Sequence, residues 1–140
     1  MGYRSDVGIK CEEKAFEMFR EAYEEHDFLP GYIYKTDDNI YTLVWEYVKW
    51  YEDFPEVNAI IDVMNRLDEF YDETEGDCKG YIYAFNRIGE EDTDNEHREN
   101  SWDLEFYIER KFPIEGEELD VTNPIPKNNV QLSDYLQEET

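Results

Sequence analysis

The chain has 140 residues, enough for one domain that buries a core without help from disulfides or metal. Its 37 acidic and 13 basic residues give a formal net charge of -24, which opposes direct binding to nucleic acid or to an anionic membrane. The 12 Tyr, 8 Phe and 3 Trp argue against disorder, and no apolar run reaches the roughly 20 residues of a membrane span. With only two cysteines, a reducing cytoplasm is the expected compartment.

The first half of the chain alternates between strand and helix patterns. Residues 3–10 predict a strand, and residues 12–26 predict a helix whose apolar positions recur at three- and four-residue steps. After a break at Pro30, Tyr32–Lys35 and Ile40–Val48 predict a hairpin, since both are rich in aromatic and β-branched residues and a polar turn joins them.

A second helix and two further strands follow. Pro55 begins a helix with one apolar stripe and one acidic side. Residues 80–88 alternate as a strand, residues 89–100 predict an acidic loop, and residues 102–109 alternate again. From residue 113 onward, prolines and scattered acids predict an irregular tail.

This order predicts an α+β fold, a ferredoxin-like β-α-β-β-α-β arrangement with an added C-terminal strand. We expect an antiparallel sheet with two acidic helices on one face. Residues 1–112 form the domain, and residues 113–140 form an irregular acidic C-terminal tail packed on it or trailing from it. A different α+β strand order with the same elements is the alternative.

The negative charge is concentrated in both helices, in the loop after residue 89 and in the tail, whereas the strands are nearly neutral. In the first helix, Glu13, Glu17, Glu21 and Glu25 repeat every four residues and stand about 6 Å apart along the axis. Like charges at this spacing destabilise a helix by roughly 0.2 to 0.5 kcal/mol per pair. One interpretation is that this row is only a solvated face that keeps the protein soluble. The functional interpretation is that it occupies the phosphate-binding sites of a partner protein.

The predicted strands suggest a second surface. Alternate residues of a strand point to opposite faces of the sheet. We expect the face with aliphatic side chains to lie against the helices, and this set comprises Ile33, Ile40, Val44, Ile82 and Ala84. The residues expected on the other face of the sheet are mostly aromatic, and they comprise Tyr32, Tyr34, Tyr41, Leu43, Trp45, Tyr47, Tyr81, Tyr83 and Phe85. This tyrosine-rich face is expected either to be covered by the last strand and the tail or to be exposed for binding.

No arrangement of residues predicts an enzyme, a metal site or a cofactor. His26 and His97 have no Cys or second His at metal-ligand spacing, so both are expected at the surface. Cys11 is expected to be buried or inert. Residues 79–85 partly match an RNA-stacking strand, but the net charge opposes that function.

Three stretches resemble a group of short, acidic, mostly uncharacterised proteins of tailed phages: MGYRSDV at residues 1–7, WEYVKWY at residues 45–51 and RIGE at residues 87–90. The resemblance implies a phage or prophage accessory protein that acts in the host bacterial cytoplasm. Small acidic phage proteins of this kind are similar in purpose to anti-CRISPR and anti-restriction proteins, several of which mimic DNA.

The leading hypothesis is therefore a stoichiometric inhibitor of a host defence complex, of anti-CRISPR type. It would occupy the basic groove of a nucleic-acid-binding host protein, such as a CRISPR effector or a restriction enzyme, without contacting nucleic acid itself or a membrane. The predicted partner-binding residues are acidic side chains of both helices: Glu13, Glu17, Glu21, Glu25, Asp62, Asp68, Glu69, Asp72 and Glu73. The alternative is a phage structural, assembly or interaction module that binds through the tyrosine-rich face, with a homodimer left open.

Overall fold

A six-stranded antiparallel sheet and two helices make up the part of the chain that the computed structural model describes, residues 2–91, 93–101, 116–122 and 124. In chain order these elements are β1 (Ser5–Glu12), α1 (Glu13–Glu25), β2 (Tyr32–Lys35), β3 (Ile40–Val48), α2 (Pro55–Glu73), β4 (Tyr83–Gly89), β5 (Asn95–Glu99) and β6 (Glu117–Leu119). The sheet order is β5-β4-β1-β3-β2-β6, and all neighbouring strands are antiparallel. The predicted α+β class is confirmed, and the arrangement is consistent with a ferredoxin-like fold.

The apolar faces of both helices join one core with the sheet. Phe16 of α1 stacks on Tyr41 of β3 with ring centroids 4.2 Å apart, and Phe19 meets Tyr83 of β4 edge to face. From α2, the fully or almost fully buried residues are Val57, Ile60, Val63, Met64 and Leu67. The helical periodicity therefore predicted the buried face of α1 and most of that of α2, where Val63 is buried although it was not in the predicted stripe; α2 begins at Pro55 as expected.

The aromatic side of β3 and β4 faces the helices, so the predicted orientation of the sheet is wrong. Tyr41, Trp45 and Tyr83 are 0–1% exposed and pack against aromatic rings of α1. The physical reason is size, since these large rings gain the most from burial and α1 supplies rings that complement them. Val44 and Ala84 point to the opposite side, where they are also buried.

The register of the β2–β3 hairpin explains why the predicted faces of β2 are also wrong. Ile33 lies directly opposite Leu43, so it shares the core face with the aromatic set, and Tyr32 and Tyr34 turn outward with Val44. Counting odd and even positions within one strand does not relate two strands, because the turn between them sets the register. The tyrosine-rich face on which the alternative function depends is therefore not one continuous surface.

Two segments that the sequence predicted as irregular are strands. Asn95–Glu99, inside the predicted loop, pairs with β4, and Glu117–Leu119, inside the predicted tail, pairs with β2 at the other edge of the sheet. Both are strongly polar, so neither shows the apolar alternation from which strands are predicted. The predicted strand at residues 102–109 lies outside the described residues, as does most of the tail. Within the described part of the chain, neither helix is long and apolar enough to cross a membrane.

Candidate partner-binding surface

All four glutamates of the predicted row on α1 are exposed, but they do not form a straight line. Each four-residue step advances about 40° beyond a full turn, so the row turns by about 120° between Glu13 and Glu25. Glu21 and Glu25 line a groove between α1 and α2, whereas Glu13 lines a separate cleft at the end of the sheet. Burial raises the pKa of Tyr41 to about 12, and the nearby carboxylates of Glu13 and Glu17 add to this shift.

The groove between the helices brings acidic residues from two elements together. It has a volume of about 340 Å³, and Glu21 and Glu25 of α1 line it together with Asp62 of α2. Ala22 and Ala59, whose side chains are short, also line it and leave room between the helices. Of the nine acids predicted to bind a partner, these three share one concave site.

Few positive charges oppose these carboxylates. Arg66 pairs with Asp62 across one turn of α2 at 3.3 Å, and both side chains are more than half exposed, so the pair contributes little to stability. His26 also lines the groove. Glu21 and Glu25 form no ion pair with any other residue that the structure describes. The groove is therefore anionic, and Glu21 and Glu25 are available to a cationic partner.

A buried arginine supports the opposite side of α1. Arg20 is only 5% exposed and donates to Glu24 at 3.1 Å, with Glu17 at 3.9 Å from the same guanidinium. Glu17 is thus partly neutralised by its own helix. Its availability to a partner is lower than that of Glu21 and Glu25.

Asp68, which was also predicted to bind a partner, is already engaged within the fold. Its carboxylate accepts a hydrogen bond from the Tyr83 hydroxyl at 2.9 Å and pairs with Arg98 of β5 at 2.7 Å. It therefore joins α2 to two strands. The proximity of Asp68 and burial raise the pKa of Tyr83, with burial the larger cause.

The remaining acids of α2 that were predicted to bind a partner are Glu69, Asp72 and Glu73, and all three are exposed near the end of the helix. Neither helix has a basic residue in its last turn. Acidic side chains there oppose the helix dipole at a cost of about 0.3 to 1 kcal/mol each. Stability alone does not favour this distribution of charge.

The β4–β5 hairpin is also acidic, but Asp94, Glu96 and Glu99 in it are paired with basic side chains. Arg87 binds Asp94 at 2.7 Å and Glu96 at 3.0 Å, and it donates to the Ser5 hydroxyl. The Arg87 guanidinium and the Tyr3 hydroxyl hold the pKa of Asp94 below its usual value. Sequence analysis predicted only an acidic loop here, because the pairing of Arg87 with Glu96 depends on the cross-strand register.

His97, expected at the surface, belongs to the same hairpin. Its side chain is about one-third exposed, and it shares hydrogen bonds with buried Asn86 at 2.8 Å and with Glu99. Cys11 is fully buried as predicted, and burial raises the pKa of its thiol.

A second cleft, which sequence analysis missed, lies where β1 leads into α1. Its volume is about 380 Å³, and Lys14 and Lys79 line it beside Glu13. Glu12 accepts hydrogen bonds from the backbone N–H groups of Gly80 at 2.7 Å and Ile82 at 3.3 Å. This carboxylate therefore fixes the start of β4, and the two lysines make the cleft less anionic than the groove.

Comparison with protein-family models, curated proteins and solved structures finds no match to this chain. The resemblance to tailed-phage proteins stays a prediction. In the structure, the three stretches that carry it contribute Arg4, Tyr47 and Glu90 to one small pocket at an end of the sheet.

Proposed function

We propose that this chain is a phage-encoded, stoichiometric inhibitor of a bacterial defence complex, of anti-CRISPR type. A ferredoxin-like scaffold would present the outer face of α1 and α2 to a basic groove that normally holds nucleic acid. The phage origin and the class of target rest on the sequence resemblance, and the geometry of the helices supports the choice of docking surface. No catalytic step is required.

The observation that carries the proposal is the groove between the helices, where Glu21, Glu25 and Asp62 converge. A lysine or arginine of a partner that enters this groove would meet Glu21 and Glu25 of α1 and would compete with Arg66, which also lines the groove, for Asp62 of α2. Hydrogen bonds between a guanidinium and carboxylates are charge-assisted and about twice as strong as neutral ones. The short side chains of Ala22 and Ala59 leave space for such a group.

The distribution of charge supports the same function. Carboxylates at four-residue spacing and at helix C-termini lower helix stability, yet α1 and α2 carry both features without compensating bases in their last turns. The hairpin acids show that this sequence pairs carboxylates with arginines elsewhere. A surface that binds a basic partner accounts for the difference, since the partner then supplies the missing positive charge.

The test is a competition experiment with purified nucleic-acid-binding defence proteins. A panel of CRISPR effectors and restriction enzymes is mixed with labelled target DNA and increasing amounts of this protein. The expected result is that one member of the panel releases its DNA at a one-to-one ratio, with an affinity that falls as salt concentration rises. Failure to displace DNA from any member would contradict the proposed target class.

A charge-matched pair of variants assigns the effect to the groove. Glu21→Gln, Glu25→Gln and Asp62→Asn together remove three negative charges from it. The control removes three exposed charges elsewhere with Asp37→Asn, Glu52→Gln and Glu75→Gln. We expect the groove variant to bind at least about tenfold more weakly than the control. Equal losses would mean that net charge alone, and not this surface, attracts the partner.

A further inference from the structure

Tyr47 leaves the core face of β3 because of a β-bulge. The register between β1 and β3 shifts so that Glu46 and Tyr47 together oppose Asp6. Trp45, two residues before Tyr47, is buried in the core, and regular alternation would place Tyr47 beside it. The extra residue instead directs Tyr47 outward, and Val48 packs against the core.

The backbone of Tyr47 is strained. Its φ is +56°, in the left-handed region that bulky residues rarely adopt. Asp6 Oδ1 accepts the Tyr47 N–H at 2.8 Å, and Arg4 Nη1 donates to the Tyr47 carbonyl oxygen at 3.3 Å, which holds this conformation in place. Strain that surrounding contacts maintain is concentrated at functional sites in proteins.

The result is an aromatic ring displayed on the surface. The side chain of Tyr47 is 68% exposed, compared with 37% for Tyr32 and 41% for Leu29, the other exposed large apolar residues among those described. The Arg4 guanidinium lies over the ring, 5.1 Å from its centroid. Tyr and Arg are among the residue types that contribute most to binding energy at protein interfaces.

A small pocket adjoins the ring. Its volume is about 160 Å³; Tyr47 and Ile88 form its apolar walls, and the rest of its lining is polar or charged apart from Gly89, namely Arg4, Ser5, Asp6 and Glu90. This is below the roughly 300 Å³ at which small-molecule sites begin, so one side chain of a protein fits it better than a metabolite. Glu90 accepts the Arg4 N–H at 2.6 Å, as Asp6 accepts the Tyr47 N–H, so both carboxylates already serve the fold.

We propose that Arg4 and Tyr47 anchor a second protein-binding surface, which takes an aliphatic side chain of a protein partner into the pocket between Tyr47 and Ile88. The bulge orients the ring before binding, which lowers the entropy lost when the contact forms. Since Tyr47 and Ile88, the walls that would contact this side chain, are uncharged, binding here depends less on salt than binding at the groove between the helices. This proposal stands whether or not the helices bind a defence complex.

The test uses a displayed library of random linear peptides, selected on the immobilised protein at moderate and at high salt. Selected peptides are then measured against Tyr47→Gly and against Tyr32→Ala, which removes another exposed tyrosine. We expect peptides that share an aliphatic residue, that bind at high salt, and that bind Tyr47→Gly at least about tenfold more weakly. Tyr32→Ala should bind them as the unchanged protein does.

Glycine is chosen because it accepts the positive φ, so the bulge persists without the ring. A near-ultraviolet circular dichroism spectrum checks that the core aromatics remain packed in the variant. Failure to enrich any peptide, or equal binding to Tyr47→Gly, would overturn the proposal. It would also be overturned if the selected peptides were rich in Lys and Arg and lost binding to Glu21→Gln/Glu25→Gln, because they would then occupy the groove.

Discussion

The two helices and the β4–β5 hairpin are both strongly acidic, but they use their carboxylates differently. In the hairpin, Arg87 holds Asp94 and Glu96, and Arg98 reaches across to Asp68 of α2. On the helices, Glu21 and Glu25 have no ion pair with another described residue. Paired carboxylates in the hairpin therefore contribute to the fold, whereas Glu21 and Glu25 have no such pairing, as the proposed binding surface requires.

The net charge of -24 therefore combines carboxylates that are paired within the fold with carboxylates that are not. Charge that is paired within the fold should matter for stability and little for binding. Charge that is left unpaired should lower stability slightly and matter for binding. Variants in the two regions are expected to show opposite patterns in these two measurements.

The largest effect is expected for Arg87→Ala. The substitution removes the cation shared by Asp94 and Glu96, and hydrogen bonds to charged groups contribute about 1.5 to 3 kcal/mol. We expect the free energy of unfolding to fall by about 2 kcal/mol, measured by urea denaturation. Arg66→Ala, which removes an exposed pair on α2, is the control and should change stability by less than about 0.5 kcal/mol. Equal losses of stability in the two variants would mean that the ion pairs of the hairpin contribute no more to the fold than the exposed pair on α2.

The pH dependence of the same variant checks the cause. Arg87 holds the pKa of Asp94 below its ordinary value of 3.8, and a group with a lowered folded-state pKa contributes stability above its unfolded pKa. That contribution is lost as the pH falls through the folded-state pKa. The difference in stability between the unchanged protein and Arg87→Ala should therefore shrink as the pH is lowered from neutral toward about 3. A constant difference would assign the loss to packing.

A smaller loss is expected for Asp68→Asn. The amide oxygen can still accept from the Tyr83 hydroxyl, but the ion pair with Arg98 is lost, so stability should fall by about 1 kcal/mol in urea denaturation. Affinity for a basic partner should change little, since Asp68 is occupied within the fold. Asp72→Asn is the control in the same helix. We expect it to weaken binding to a basic partner and to leave stability nearly unchanged. If Asp68→Asn weakened binding more than Asp72→Asn, the original assignment of Asp68 to the surface would stand.

The elements that were predicted well have strong local signals. Ile40–Val48 is dense in aromatic and β-branched residues, and α2 has both an apolar stripe and a proline at its start. The exposed positions of Glu21 and Glu25 follow from the same helical period. These features depend on the chain near each residue, so the sequence was sufficient.

The features that were missed depend on register between distant segments. β5 has the sequence NEHRE, which shows no apolar alternation, and its pairing to β4 includes the ion pair between Arg87 and Glu96. The inward side of β2 depends on which of its residues lies opposite Leu43, and that residue is Ile33. The exposure of Tyr47 depends on a bulge opposite Asp6, and its sequence neighbours carry no glycine to indicate it.

The strained bulge supplies the next prediction. Tyr47→Ala and Tyr47→Gly both remove the ring and its contact with Arg4, but only glycine relieves the positive φ. We expect Tyr47→Gly to be more stable than Tyr47→Ala by about 1 kcal/mol, from urea denaturation of both variants. If alanine were tolerated equally well, the conformation would carry no strain, and the ring's outward position would need another cause.

The smallest effects are expected at the two ends of α1, where Glu13 and Glu25 belong to the same row. Each has one neighbour in the row at four-residue spacing, so replacing either with Gln removes one repulsive pair. The helix dipole makes the two substitutions differ in their effect on stability, because a carboxylate is favourable in the first turn of a helix and unfavourable in the last. Glu25→Gln should raise the free energy of unfolding by about 0.5 kcal/mol, whereas Glu13→Gln should leave it nearly unchanged. The difference should shrink in urea denaturation at high salt, since ions screen exposed charges. If Glu25→Gln were instead destabilising, Glu25 would have a stabilising role within the fold, and its place in a surface left for a partner would be lost.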